Sequence, residues 1–192
     1  MKIAYIVPNL QQAGPIILVQ SLVKHLSKQV EEICVFYIDE CESPISMDCH
    51  TEKIYYNIPL DFDNYDIIHC HTAKADLYGY IWKHKMKKNL LMATIHQDTF
   101  YTERLRLGKI YGTLYSSIWL AIQNQLDALV TISKQTQYTY QPYFKRDIHV
   151  IYNGVNCEEG KVDDSLLNKI SSFKEKSSIL LGTYALMMYS KK

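Results

Sequence analysis

The chain has 192 residues, 47% of them hydrophobic and 21% charged, and a net charge of +1. That length suits one well-packed domain plus a tail, and so even a charge balance gives no global argument for nucleic acid. No apolar run approaches the ~20 residues of a membrane-spanning helix, and Met1–Val7 is too short for a secretory core and reads as a strand.

Five cysteines (Cys34, Cys41, Cys49, Cys70, Cys157) are an odd number with irregular spacing. This argues against a disulfide framework and for a reducing cytoplasm, and the lack of any CxxC argues against structural zinc. Sixteen tyrosines read mainly as compositional bias, the alternative being a sugar-binding or membrane-facing surface.

Short apolar runs alternate with longer segments of helical period, the pattern of βαβ units and a mainly parallel sheet. Ile3–Val7 is the first strand. Pro8 and Asn9 end it, and the loop Leu10–Gly14 leads to Pro15, a residue favoured at a first helical position. Ile16, Val19, Leu22, Val23 and Leu26 then share a face, so Pro15–Lys28 is an amphipathic helix. Ile33–Ile38 is the second strand, Asp39–Cys49 a polar loop, Lys53–Tyr56 a short strand and Tyr65–Cys70 a stronger one. Ala75–Lys88 reads as a helix whose basic end (Lys83, His84, Lys85, Lys87, Lys88) suits the macrodipole.

Leu90–Ile95 is the next strand, Arg104–Gln125 a long helix and Ala128–Ile132 another strand. Ser133 is placed to cap a helix running to Tyr143. His149–Tyr152 is a strand that ends in the turn signal Asn153-Gly154. Cys157–Lys176 is polar, with one helix at Leu166–Phe173. Ser178–Gly182 is strand-like and is followed by ten residues. A lone strand cannot bury two faces, so it reads as the first element of a second domain. The expected organisation is a domain over residues 1–157, a linker over 158–177 and the start of another domain over 178–192.

Four strand ends could carry chemistry. At Gly14-Pro15 the backbone N–H groups of a helix start attract phosphate, although an ordinary βα turn has the same form. Neither G-x-G-x-x-G nor a P-loop is present. His69 and His71 lie two apart and share a strand face, which invites a metal, but no further ligand stands at a recognisable spacing. The better reading puts His71 at the carboxyl end of the sheet, where open α/β folds bind ligands, with His69 buried and hydrogen-bonded. His96 and Asp98 end the next strand on the same edge, and a neutral His can bond a hydroxyl or transfer a proton; the alternative is a solvated His at a capped strand end. For Ser133, helix capping is the better reading. The basic residues Lys83–Lys88, with Arg104, Arg106 and Lys109, form either a solvated face or a surface resting on anionic lipid.

In this order these features resemble the amino-terminal domain of GT-B glycosyltransferases, specifically the retaining family numbered four. The stretches that carry the resemblance are Lys2–Val7 with its Gly14 loop, Tyr65–His71, Ala93–His96, Ala128–Ser133 and Val150–Val155. Leu180–Lys192 is similar to the opening of that family's nucleotide-sugar domain. The resemblance implies an α/β fold with a Rossmann-like, doubly wound, mainly parallel sheet, the amino-terminal half of a GT-B fold. It implies transfer of a sugar from a nucleotide-sugar to a glycan or lipid-linked acceptor, with retention and without a cofactor or essential metal. The setting would be bacterial surface polysaccharide synthesis, in the cytoplasm or at the inner face of the membrane.

By resemblance, His96 is the catalytic residue that contacts the donor sugar across a cleft. Ala13 and Gly14 form the donor-phosphate loop, and His71, Asp98 and Ser133 line the cleft edge. Lys192 is a remnant of the donor side. The sequence departs from the family pattern at Ala13, where a Gly is usual and where Ala would resist positive φ, at Tyr152 (usually Pro) and at Leu186 (usually Arg). The paired Glu motif of the donor domain is absent. This chain alone is therefore expected to be inactive, because catalysis needs both substrates held together. The alternative is a non-catalytic split subunit or truncated remnant that needs a separate donor-binding domain. A Rossmann-type nucleotide-sugar epimerase is disfavoured by the missing glycine fingerprint.

Overall fold

A computed structural model describes residues 1–154 and 163–174. One compact unit spans Met1–Asn153. Its sheet has strands β1 (Lys2–Val7), β2 (Glu32–Tyr37), β3 (His50–Lys53), β4 (Ile67–His71), β5 (Leu90–Ile95), β6 (Ala128–Thr131) and β7 (His149–Val150). Every pairing is parallel and the order is β3-β2-β1-β4-β5-β6-β7. The winding reverses between β1 and β4, which opens a crevice at the carboxyl ends of those strands, the usual ligand position in such sheets. The doubly wound sheet expected from the sequence is the one observed.

Helices α1 (Gly14–Leu26), α2 (Ala73–Trp82), α3 (Thr99–Leu107), α4 (Lys109–Gln123) and α5 (Lys134–Tyr140) connect the strands. Alternation within each strand divides the core. Ile3, Tyr5, Val7 and Val35 face Ile16, Val19 and Val23 of α1. Ala4, Ile6, Phe36, Ile68, Cys70, Leu91 and Ala93 face the other way, with Tyr78 of α2 and Leu120 of α4. Burial on both faces is why these strands read as nearly continuous apolar runs. A second unit begins at Gly154; its described part is helix α6 (Asp164–Lys174), over the expected Leu166–Phe173. The expected linker falls partly, and the strand Ser178–Gly182, Cys157, Leu186 and Lys192 wholly, outside the described residues.

The structure corrects several element boundaries. The short strand lies at His50–Lys53 rather than Lys53–Tyr56, because an edge strand needs only backbone pairing with β2 and β3 is polar. The helix expected over Ala75–Lys88 ends at Trp82 and tightens into a 3-10 turn at Lys83–Lys85, so its basic end lies past the α-helix. Ser133 caps α5 through a bond from the Thr136 amide, and the helix gives way at Tyr140 to a 3-10 turn containing Pro142. The strand expected at His149–Tyr152 contracts to two residues.

The largest correction is at Arg104–Gln125, which is not one helix but parts of two. α3 starts earlier because the Asp98 carboxylate accepts from the Tyr101 amide at 3.0 Å and caps it. Gly108 then breaks the run with φ +82°, a conformation suited to glycine. Thr99 lies beside Ser116 and Glu103 beside Gly112, so α3 and α4 form an antiparallel hairpin. A Cβ on Gly112 would stand 2.4 Å from the Glu103 carbonyl oxygen, so the two backbones touch there.

A buried carboxylate fixes α4 to α2. One oxygen of Asp76 accepts from Trp119 Nε1 at 2.7 Å and Gln123 Nε2 at 2.8 Å, while the other has no partner. Burial pushes its pKa up to about 7, although the two donors pull it down. Between the ordinary value of 3.8 and about 7 the folded chain holds a proton that the unfolded chain has released. The Asp76 contribution to stability therefore falls as pH rises through that window. The imidazoles of His69, His71 and His96, whose pKa values lie below the ordinary 6.5, act in the opposite sense: their contribution is present above that value and is lost on acidification.

Two predictions follow from these contacts. Gly112→Ala should destabilise the domain by about 1–3 kcal/mol through overpacking, measured by urea denaturation; equal stability would mean that the helices need no such approach. In parallel denaturation series from pH 4 to 7, Asp76→Asn should gain stability relative to the native chain as pH rises, and a constant difference would show that Asp76 keeps an ordinary pKa.

Candidate functional site

The site starts from strand register. Tyr5 of β1 pairs with His69 of β4, and His71 pairs with Thr94 of β5. Residues two apart share a face, so Tyr5, His69, His71 and Thr94 gather on one side of the sheet, and His96 follows one residue beyond β5. His69 Nε2 lies 2.8 Å from Thr94 Oγ1, and His71 Nδ1 lies 2.9 Å from His96 Nε2. The rings of His69 and His71 are 4.3 Å apart and those of His71 and His96 are 5.1 Å apart, with Tyr5 packed against the first two.

Burial keeps all three imidazoles neutral at pH 7. It is the main cause that lowers His69 to about 3 and His96 to about 4 and holds His71 well below its ordinary range. Proton placement follows from a buried ring nitrogen that has no partner. His71 Nε2 is buried without a partner. A proton there would be an orphaned buried donor, which is rarer than an under-used acceptor. His71 is therefore assigned the proton on Nδ1 and donates to His96 Nε2. His96 then carries its own proton on Nδ1, the ring nitrogen that His71 does not engage.

Thr72 follows His71 with φ 78° and ψ 163°. That is a glycine-type conformation, and a β-branched residue held there stores about 1–3 kcal/mol of strain. Thr72 and His96 line a cavity of about 190 Å³ with Pro15, Lys74 and Gln97. Glu103, Tyr115 and Trp119 of the α3–α4 hairpin form its other wall. Glu103 is buried and accepts from Arg106 at 2.5 and 2.8 Å, and the Arg106 guanidinium lies over the Tyr115 ring. The Lys74 amine pairs with Asp39. Two larger hollows lie near β2 and β3, and neither includes His96.

The structure thus brings together some of the expected residues and separates others. His96 lines the cavity, and His71 is wholly buried and supports it through the contact with His96 Nε2. Asp98 is occupied as the cap of α3, and the same oxygen also accepts from Tyr140 Oη at 2.9 Å. Ser133 is occupied as the cap of α5. Neither Asp98 nor Ser133 lines the cavity. Ala13 is extended at φ −140°, so its side chain imposes no strain in place of glycine. The amides of Ile16 and Ile17 both donate to the Ala13 carbonyl, and Pro15 has no N–H, which leaves Gly14 to offer an amide to an anion. Gly14 is exposed, and a Cβ added to it would meet nothing within 4 Å. Among the described residues no group of three His, Cys, Asp or Glu is arranged to hold a metal ion.

Sequence reasoning missed Thr72, Lys74, Gln97, Glu103, Tyr115 and Trp119. For Glu103 a signal existed, since it is the only acid between Thr99 and Gln125. Thr72 gave none, because positive φ is not readable from a Thr.

The sequence model of Glycosyltransferase Family 4 matches residues 55–159. The chain is 30% identical to the O-antigen biosynthesis glycosyltransferase WclY of Escherichia coli, over 93% of this chain and 50% of that protein. It spans about half the length of the curated relatives it matches. Its fold is similar to that of HepE from Anabaena, solved in complex with UDP and glucose, with a TM-score of 0.61 at 16% identity over 91% of this chain and 50% of that one. It is also similar to sucrose-phosphate synthase from Thermosynechococcus elongatus, with a TM-score of 0.66 at 16% identity over 88% and 52%. Its sheet is the Rossmann-like sheet found in GT-B glycosyltransferase structures. With more than half of its length matched by the family's sequence model, the chain belongs to glycosyltransferase family 4.

Proposed function

We propose that this chain is the acceptor-side half of a retaining glycosyltransferase that moves a sugar from a nucleotide-sugar to a glycan or lipid-linked acceptor. The observation that carries this reading is the neutral His71–His96 pair beside a cavity at the carboxyl edge of the sheet. A neutral imidazole with its outer proton on Nδ1 can donate to a sugar hydroxyl without bringing charge into the site. Gly14, exposed at the start of α1, suits the donor diphosphate, since a helix N-terminus favours negative charge. Transfer would proceed without a metal, the leaving diphosphate being met by such donors. The donor half would begin near residue 178, with Lys192 at its diphosphate. The WclY relative supports a role in bacterial surface polysaccharide assembly; the cytoplasmic side is where this reading sets the reaction.

The test uses a version of the protein that carries the donor half, assayed for transfer with a panel of nucleotide-sugars. His96→Ala should lower turnover by roughly 100-fold or more while leaving the circular dichroism spectrum unchanged. Undiminished turnover would remove His96 from the site. A chelator should leave transfer intact, and loss of activity restored by a divalent cation would replace the metal-free reading.

A further inference from the structure

We propose that Thr72 is a substrate-contacting residue whose hydroxyl bonds a hydroxyl of the sugar held in the His96 cavity. Among the described residues Thr72 is the one residue other than glycine with positive φ. It stands at the N-cap of α2, where a threonine ordinarily has an extended backbone and its oxygen accepts from an amide of the first turn. Asp98 and Ser133 do this for α3 and α5. Thr72 does neither: its backbone is at φ 78° and ψ 163°, and its side chain bonds no amide of the helix. The fold thus carries a strained residue without the cap that would offset it.

Two clamps impose the strain. Thr72 is the single residue between β4 and α2. Before it, His71 is wholly buried and fixed to His96 by the 2.9 Å contact of their rings. After it, the Asp76 amide donates to the Thr72 carbonyl at 3.0 Å, and the Asp76 carboxylate is held by Trp119 and Gln123. Glycine would make this turn without strain. Threonine instead places a half-buried side chain on the cavity wall, and its hydroxyl has no partner among the described residues. A free hydroxyl at a strained position in the His96 cavity is arranged for a ligand rather than for the fold.

The other groups of the cavity decide what that ligand is. Glu103 lines it with Oε2 taken by Arg106 and with no partner for Oε1 among the described residues. A carboxylate repels a phosphate and accepts from a hydroxyl. The outer proton of His96 adds a donor, and the Thr72 hydroxyl can donate or accept. A donor, an acceptor and a group that is both match the hydroxyls of an uncharged sugar. At about 190 Å³ the cavity lies below the ~300–1,000 Å³ of pockets for drug-sized ligands, so it suits one sugar ring. The assignment rests on the sugar-transfer reading above and adds a residue to it.

The test uses the version that carries the donor half, with the nucleotide-sugar it accepts and deoxy analogues of that sugar. Thr72→Val keeps the β-branched shape and removes only the hydroxyl. It should lower kcat/KM at least about tenfold, while Thr72→Ser stays within about threefold of native. With the analogue that lacks the partner hydroxyl, native and Thr72→Val should transfer equally fast, since neither makes the bond. In the present chain, Thr72→Gly should unfold at no lower urea concentration than native, because glycine holds φ 78° freely. The proposal is overturned if Thr72→Val transfers as fast as native, if its loss is the same with every analogue, if Thr72→Ser is as slow as Thr72→Val, or if Thr72→Gly is clearly less stable. Each of these results leaves the sugar-transfer reading standing. Absence of transfer by the native protein with every nucleotide-sugar overturns that reading, and this proposal with it.

Discussion

Trp119 and Gln123 both donate to one buried oxygen of Asp76, and the position of α4 follows from that. Trp119 stands on the cavity wall opposite His96. Through α4 the same carboxylate also locates α3, because the two helices meet backbone to backbone at Gly112. A buried acid with one unpaired oxygen is a poor source of stability, and removing its charge is often neutral or better. What Asp76 supplies is placement: its two donors sit one helical turn apart, so both bonds form only at one rotation and height of α4.

The chemistry beside it is built from neutral groups. Three imidazoles and a threonine hydroxyl are linked in two bonded pairs, and burial withholds a proton from every ring. A charged His would have to be desolvated at this strand edge, and each neighbouring ring would resist a second charge. The arrangement therefore favours hydrogen bonding and orientation over ion pairing. Tyr5 backs the pair of β4 histidines, so the ladder is held by packing as well as by its bonds.

Much of this was legible in the sequence. Strands buried on both faces leave apolar runs, and the helices between them leave a 3.6-residue period, so the parallel sheet could be read directly. The edge carrying His71 and His96 was legible because parallel strands all end on one side. The hairpin was not, because apolar periodicity runs through Gly108 and hides the break. The Ser133 cap was legible from its place before a helical run, whereas Asp98 was a site candidate by its position at a strand end and its side chain is spent on capping α3. The conformation of Thr72 and the charge state of Asp76 depend on tertiary surroundings and leave no local trace.

Gly112 has a consequence for how such a domain can change over generations. Its inner contact admits no side chain without displacing Glu103 and Arg104, whereas Ile110, Leu114 and Ile118 touch little of the domain. Selection on folding thus constrains one side of the hairpin and leaves the other free to drift. The outer surface can be rewritten for a new environment while the scaffold that carries His96 stays as it is.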